Sequence, residues 1–148
     1  MEKATHTKIR SIIDNADDMT IATIRPDGFP QATTVSFVND DLTIYFGSDP
    51  DSQKTQNIAA CNKVSLTINL PYSDWTQIRG LSMAATAERL STPEEMERVG
   101  KLILAKFPQA AQYAPESMDD VALFRVEPKV ISVLDYSIEF GHTDEIRF

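Results

Sequence analysis

The sequence is poor in the residue types that build most catalytic and metal centres. Its 148 residues include one cysteine, Cys61, and two histidines, His6 and His142. A single cysteine excludes an intrachain disulfide and a cysteine-based metal site, and we interpret Cys61 as a small core residue. Neither a G-x-S-x-G elbow nor an H-E-x-x-H motif is present, which disfavours a hydrolase. We therefore assign no catalytic residue and no metal ligand from the sequence.

Clusters of positive charge and long apolar runs are also missing. The chain has 14 Lys and Arg against 22 Asp and Glu, a formal net charge of −8. Because nucleic-acid binders neutralise phosphates with clustered Lys and Arg, we expect no nucleic-acid partner. No apolar run reaches the roughly 18 residues of a membrane span, and the polar N-terminus does not match a signal peptide. The sequence predicts a cytoplasmic protein with no membrane partner.

The size and composition indicate one globular domain over residues 1–148. A chain of 148 residues that is 42% hydrophobic falls in the usual range for a single core. No repeat, low-complexity tract or linker divides it.

Alternating apolar and polar residues, separated by turn formers, predict a mainly β fold. The predicted strands are 19–25, 31–38, 42–47, 64–70, 75–90 and 121–137, the first three forming a meander and the last interrupted around Pro128. The predicted helices are 5–17, a short one from about 50 to 61 capped by Ser48 or Asp49, and one that begins at the Thr92 cap. Six strands without long alternating helices favour a closed or nearly closed antiparallel barrel.

The segment from Ser48 to Lys54 has the chemistry of an anion site. It combines two hydroxyls, a lysine and the free N–H groups of a helix start. The same pattern also fits an ordinary capped helix, and Asp49 and Asp51 would oppose a phosphate. From the residues alone, both interpretations stay open.

The order of these motifs resembles the pyridoxamine 5'-phosphate oxidase-like FMN-binding split barrels, over about residues 8 to 136. The segments that carry the resemblance are MTIATIRPDGFPQATTVSFV, LTIYFGSDPDSQKTQNI, QIRGLSMAATAERL and FRVEPKVISVLDY. The resemblance implies a six-stranded antiparallel split β-barrel with flanking helices. It also implies a homodimer that holds FMN at the subunit interface.

The resemblance further implies which residues contact FMN. They are Thr33, Thr34, Val35 and Ser36 along the flavin ring, Gly47, Ser48, Ser52, Gln53 and Lys54 around the phosphate, and Trp75 and Gln77 from the other subunit. Gln53 stands where the family has arginine, and Thr33 where it often has one, so the grip on phosphate is expected to be weaker. Arg25, Arg79 or a partner-chain residue would have to compensate. Trp75 fits an interface or core anchor equally well, and His142 in the tail is a further candidate to reach a substrate.

The function that these expectations describe is an FMN-binding flavoprotein, an FMN-dependent oxidoreductase acting on a small molecule. True pyridoxamine 5'-phosphate oxidase activity is disfavoured because the family's substrate-binding C-terminal extension is not evident. Two alternatives stay open. One is a non-catalytic flavin-binding or sensor protein, and the other is a relative that binds haem, a deazaflavin or no cofactor.

Overall fold

The computed structural model describes all 148 residues, and it is built mainly of antiparallel strands. The helices are α1 (Lys3–Asp14), α2 (Gln53–Ala60) and α3 (Pro93–Lys106). The strands are β1 (Asp18–Ile24), β2 (Pro30–Ser36), β3 (Val38–Asp40), β4 (Thr43–Ser48), β5 (Lys63–Asn69), β6 (Arg79–Arg89), β7 (Ala122–Asp135) and β8 (Thr143–Arg147). None of the helices combines the length and apolar character needed to cross a membrane.

One bent strand curls the sheet into a barrel. The strands are ordered β2-β1-β5-β6-β7-β4-β3, with β8 added beside β7. The two ends of this order, β2 and β3, are separated in the chain only by Phe37. The same stretch therefore pairs with β1 at one end and with β4 at the other. The predicted mainly β, split-barrel fold is confirmed. The predicted meander of three strands is also present, except that its middle strand is divided at Phe37 into β2 and β3.

The barrel interior and α1 share the main core. The buried faces of β1 and β5 alternate with exposed positions as the sequence predicts, and Ile9, Ile12 and Ile13 of α1 join the same apolar cluster. The rings of Phe46 and Phe124 stack within it, 5.1 Å apart. The interior is thus filled with side chains, so a ligand has to bind on the outside or at an edge.

A half-buried lysine holds α3 against the bend at Phe37. Lys106 Nζ donates to the carbonyl oxygens of Ala16 (2.6 Å) and Phe37 (3.0 Å) and lies 4.1 Å from the centre of the Phe37 ring. Burial lowers the pKa of this ammonium, opposed by the nearby Asp17 and Asp14 carboxylates. These two hydrogen bonds tie the end of α3 to the α1–β1 connection and to the bend between β2 and β3, where the barrel closes.

The start of α2 differs from the sequence expectation. The cap is Ser52, whose Oγ accepts the N–H of Thr55 at 3.2 Å. Ser48 is the last residue of β4, and the Asp49 carboxylate accepts the N–H of Asp51 in a separate turn (2.7 Å). The predicted cap at Ser48 or Asp49 was therefore wrong by one turn, and Pro50 precedes the helix.

The fifth barrel strand begins at Arg79 rather than at residue 75. The Asp74 carboxylate accepts the N–H of Thr76 at 2.9 Å, which stabilises a short 3-10 turn over Trp75–Gln77. Gly80 follows within β6, where an added Cβ would lie 2.6 Å from Asn69 Oδ1. The nearest backbone atom, the Ile68 carbonyl oxygen, would lie 3.1 Å from that Cβ, so the neighbouring strand leaves little room for a side chain here.

The last part of the chain contains a strand that the sequence did not predict. β7 continues through Pro128, and a register shift at Ala84/Ala85 absorbs one extra residue of β7. β8 then pairs with residues 130–134 of β7. Most of its side chains are exposed, so it has no apolar alternation for sequence analysis to detect.

Candidate functional site

The end of β4 and the start of α2 bring together the hydroxyls that were predicted to contact a phosphate. Ser48 Oγ and Ser52 Oγ lie 2.9 Å apart. Ser52 Oγ also caps the helix and donates to Thr55 Oγ1 at 3.0 Å. The two hydroxyls therefore form one small polar cluster at the helix N-terminus, with Gly47 exposed beside them.

Lys54 is a half-buried cation without a partner. It makes no salt bridge or side-chain hydrogen bond, and burial alone lowers the pKa of its ammonium, with no charged neighbour contributing. The backbone N–H groups of Gln53 and Lys54 belong to the first turn of α2, so they have no acceptor within the helix. Partial burial of an unpaired cation beside free N–H groups leaves a place for an anion.

Gln53 stands where the family resemblance implies an arginine, and its side-chain amide bonds within the protein. Its Nε2 donates to Asn57 Oδ1 (2.8 Å), and Asn57 Nδ2 donates to Thr23 Oγ1 (3.0 Å) and Gln31 Oε1 (3.1 Å). Asn57 is completely buried, so this network ties α2 to β1 and β2. The Gln53 nitrogen therefore takes part in an internal hydrogen-bond network. Nothing in the sequence singled out Asn57, because its partners lie on strands that are distant in the chain.

The predicted ring-binding stretch of β2 divides between two faces. Thr34 and Ser36 are exposed, whereas Thr33 and Val35 are partly buried. Thr33 Oγ1 is the one buried side-chain polar atom in the protein without a hydrogen-bond partner. Buried polar atoms are nearly always paired, so this hydroxyl is available to a group from outside the chain, whether water or a ligand.

The outer edge of β2 is also free. β2 pairs with β1 on one side and stands at the end of the strand order on the other. Its outward backbone N–H and C=O groups are consequently available to a ligand. An edge of this kind beside Thr33 suits a flat polar ring, which presents donors and acceptors along one side.

An apolar groove of about 1270 Å³ adjoins this edge. It lies between the outer barrel face, α3 and the connecting segment 107–121, and 16 of its 26 lining residues are hydrophobic. We call it the α3 groove; its lining includes Val35, Phe46, Leu90, Met96, Leu104 and Tyr113. The sequence signal was weak: Leu104, Tyr113 and Met118 are apolar residues left exposed, and single exposed apolar residues are common on any surface.

Trp75, Gln77 and His142 do not join the residues around α2 within one chain. Trp75 is 65% exposed and its ring lies 6.1 Å from that of Phe140. Gln77 Oε1 accepts the N–H of Ser73, and His142 Nε2 lies 2.9 Å from Asp144 Oδ2. These three residues belong to the turn and tail region at the start of β6 and the end of β7.

Neither arginine that could replace the missing ones is free. Arg25 pairs with Asp27 at 3.0 Å in the first hairpin, and Arg79 lies 3.6 Å from the buried Asp135. Both arginines are therefore engaged with carboxylates of this chain. No group of three or more His, Cys, Asp or Glu side chains is arranged to hold a metal ion.

The curled antiparallel sheet with its flanking helices places the protein in the class of split β-barrel proteins. Three solved structures share the fold. A haem-binding protein from Mycobacterium smegmatis matches with a TM-score of 0.83 at 18% identity, covering 99% of this chain and 59% of that one. A conserved hypothetical protein from Mycobacterium tuberculosis matches at 0.79 and 23% identity, covering 97% and 91%. HutZ, the haem storage protein of Vibrio cholerae, matches at 0.71 and 16%, covering 83% and 89%.

The family assignment rests on the sequence. The family model described as pyridoxamine 5'-phosphate oxidase matches residues 5–135, and the chain belongs to this family. No curated protein sequence matches the chain significantly. At identities below 25% the structural neighbours define the fold alone, and this chain spans 59% of the length of the M. smegmatis protein.

Proposed function

We propose that the protein binds FMN, with the phosphate at the start of α2 and the flavin ring along β2. The observation that carries the proposal is Lys54, a half-buried ammonium with no anionic partner in a chain of net charge −8. Ser48, Ser52 and the first N–H groups of α2 complete the phosphate contacts. Asp49 and Asp51 are exposed, so water screens most of their repulsion.

The residues of β2 offer the polar groups that a flavin ring would bond. The orphaned Thr33 hydroxyl would gain a partner, and the free backbone groups of residues 33–36 would bond the ring's polar edge. The protein's part is to bind and orient, while the bound flavin supplies hydride or electron transfer. We infer an oxidoreductase acting on a small molecule, with no catalytic side chain assigned.

The site is completed by a second copy of the chain. Trp75 and Gln77 are exposed in one chain and do not reach β2, so they contribute only if a partner brings them there. Trp75 and Phe140, 67% exposed, leave an aromatic surface that a dimer would cover. Size-exclusion chromatography with light scattering should give twice the 16.5 kDa chain mass; a flavin-loaded monomer would contradict this part. A cytoplasmic location also stays a prediction.

The test is Lys54→Ala, with Lys63→Ala as the matched control. Lys63 is an exposed lysine at the start of β5, so its loss changes the net charge equally. A charge-assisted contact of this kind corresponds to about 10- to 100-fold in affinity. Lys54→Ala should weaken FMN binding by about that factor in a fluorescence titration, while Lys63→Ala should not.

Riboflavin separates the phosphate site from the ring site, because it lacks the phosphate. Its affinity should be the same for the wild type and Lys54→Ala. The Lys54 assignment fails if both ligands weaken equally, or if FMN affinity is unchanged. A protein that binds no FMN would refute the whole proposal.

Haem is the second candidate, favoured by the structural neighbours that are described as haem-binding and haem storage proteins. Haem iron needs an axial ligand such as His, Cys, Met or Tyr. No histidine lines the α3 groove, but Met96 and Tyr113 do. Absorption spectra of the reconstituted protein decide between them: flavin bands support FMN, and a Soret band supports haem. Bound flavin that is never reduced by a nicotinamide donor would indicate the non-catalytic sensor alternative.

A further inference from the structure

The α3 groove is large enough and apolar enough to hold a small molecule of its own. Ligand sites for small molecules are typically about 300–1,000 Å³ and mostly apolar, and this groove has about 1270 Å³. Its floor offers few unpaired polar groups, since the Tyr45 hydroxyl already accepts a hydrogen bond from Arg98 at 2.9 Å. An occupant therefore has to be mainly apolar.

One residue of the lining supplies an unpaired charge. Arg89, the last residue of β6, is the only arginine of the chain that forms no salt bridge or side-chain hydrogen bond; the other six are paired with carboxylates. The other cation of the lining, Lys101, lies 3.3 Å from Glu97. The groove thus presents one free guanidinium beside an apolar surface.

The remaining lining residues limit how much negative charge the groove accepts. Glu97 and Asp119 are exposed carboxylates of the lining; Glu97 already pairs with Lys101, so Arg89 is the one cation left to neutralise a bound ligand. A guanidinium binds a single carboxylate with two parallel hydrogen bonds. A monocarboxylate suits this balance of one free cation and two nearby acids.

We propose that the α3 groove binds an apolar carboxylic acid, with the hydrocarbon body between α3 and the barrel and the carboxylate on Arg89. The groove shares Val35, Ser36 and Gly47 with the flavin site, so such a ligand would lie beside the ring. A role as substrate rests on the proposed function, but binding does not. The groove can therefore be tested in flavin-free protein.

The first experiment measures displacement of a fluorescent fatty acid, 11-(dansylamino)undecanoic acid, from the flavin-free protein. Oleic acid and oleyl alcohol share the same hydrocarbon chain, and only the first has a carboxylate. Oleic acid should compete at least about 10-fold better. In Arg89→Gln this preference should disappear, whereas Arg147→Gln, which removes an exposed arginine of β8, should keep it.

The second experiment fills the groove. Gly100 lies in α3 on the groove lining, and an added Cβ meets no atom within 4 Å, so Gly100→Phe can extend into the open space. It should abolish probe binding. Ala105→Phe, at an exposed position of the same helix outside the lining, should not. Circular dichroism checks that both variants fold.

Five outcomes would overturn the inference. The probe fails to bind, oleyl alcohol competes as well as oleic acid, or Arg89→Gln behaves like Arg147→Gln. The fourth is that Gly100→Phe converts a dimer to a monomer, which would make the groove a subunit interface. Displacement by haemin and not by oleic acid would assign the groove to a tetrapyrrole instead. None of these results bears on FMN binding at Lys54, so the two proposals fail separately.

Discussion

Asp135 should stabilise the fold through its negative charge, and Asp135→Asn tests this. The carboxylate is 4% exposed, yet it stays ionised. Burial alone would raise its pKa, but hydrogen bonds from the Ser137 hydroxyl and N–H and from Lys8 Nζ (2.9 Å) outweigh burial and lower it to about 2, from an ordinary 3.8. These contacts join α1, the end of β7 and the turn that leads to β8.

The lowered pKa sets the size and the pH range of the effect. A change from 3.8 to about 2 corresponds to about 2 kcal/mol of stability at neutral pH. Because the unfolded chain takes up the proton more readily than the folded one, this contribution is complete above pH 4. It is lost as the pH falls from about 4 to about 2.

The measurement is urea unfolding of the wild type and Asp135→Asn at several pH values. At pH 7 the variant should lose about 2 kcal/mol, and the melting temperature should fall by about 7 °C. The stability gap should then shrink below pH 4, because the wild-type carboxylate becomes protonated and loses its advantage. Asp18→Asn, at an exposed position of β1, controls for the change in net charge.

Two results would refute this reasoning. One is a stability gap that stays constant from pH 5 to pH 2, which would mean that the ionised carboxylate contributes nothing. The other is an Asp135→Asn variant as stable at pH 7 as Asp18→Asn. A double-mutant cycle with Lys8→Met then measures how much of the loss comes from that one pair.

Two further predictions concern packing. Lys106→Met keeps the apolar stem of the side chain but leaves two carbonyl oxygens without their donor and removes the contact with the Phe37 ring. The free energy of unfolding in urea should fall by about 2 kcal/mol. Equal stability of the variant and the wild type would show that the bend at Phe37 closes without this lysine. Gly80→Ala brings a Cβ to 3.1 Å from the Ile68 carbonyl oxygen, a backbone atom, and to 2.6 Å from Asn69 Oδ1, the end of an exposed side chain that can turn away. The backbone contact should lower stability by about 1 kcal/mol. Gly100→Ala, which meets no neighbour, is its control, and equal thermal midpoints for the two would contradict the close approach.

Local chemistry was enough to predict the start of α3 but not that of α2. At α3 one cap residue, Thr92, precedes a proline and the structure confirms it. At α2 the candidates Ser48, Asp49 and Ser52 stand within five residues, and each can cap a helix. Which one does so depends on where β4 ends and on the Asp49 turn, and both are set by strand pairing. The sequence therefore predicted the helix but placed its first residue wrongly.

Part of the candidate site could likewise be predicted from the sequence, and part could not. The family pattern in the sequence grouped Ser48, Ser52 and Lys54, and the structure joins the two serine hydroxyls at 2.9 Å. The pattern did not show that the Gln53 amide bonds to Asn57 rather than to a ligand. It also gave no sign of the α3 groove, because the groove is formed by α3 and a connector that lie far from β2 in the chain. The periodicity of apolar residues describes local structure and does not show which distant segments pack together.

The two proposed anion sites follow from one electrostatic fact. A chain with a net charge of −8 repels anions at long range, and at physiological salt this repulsion is screened beyond about 8 Å. An anion is therefore held only where a cation is close, partly desolvated and not already neutralised. Lys8 is paired with Asp135 and Lys106 with backbone carbonyls, which leaves Lys54 as the one partly buried lysine with no partner. Arg89 is the one arginine without a carboxylate partner. Its side chain is exposed, so it differs from Lys54 in burial, and water would be excluded from it only when a ligand fills the α3 groove beside it.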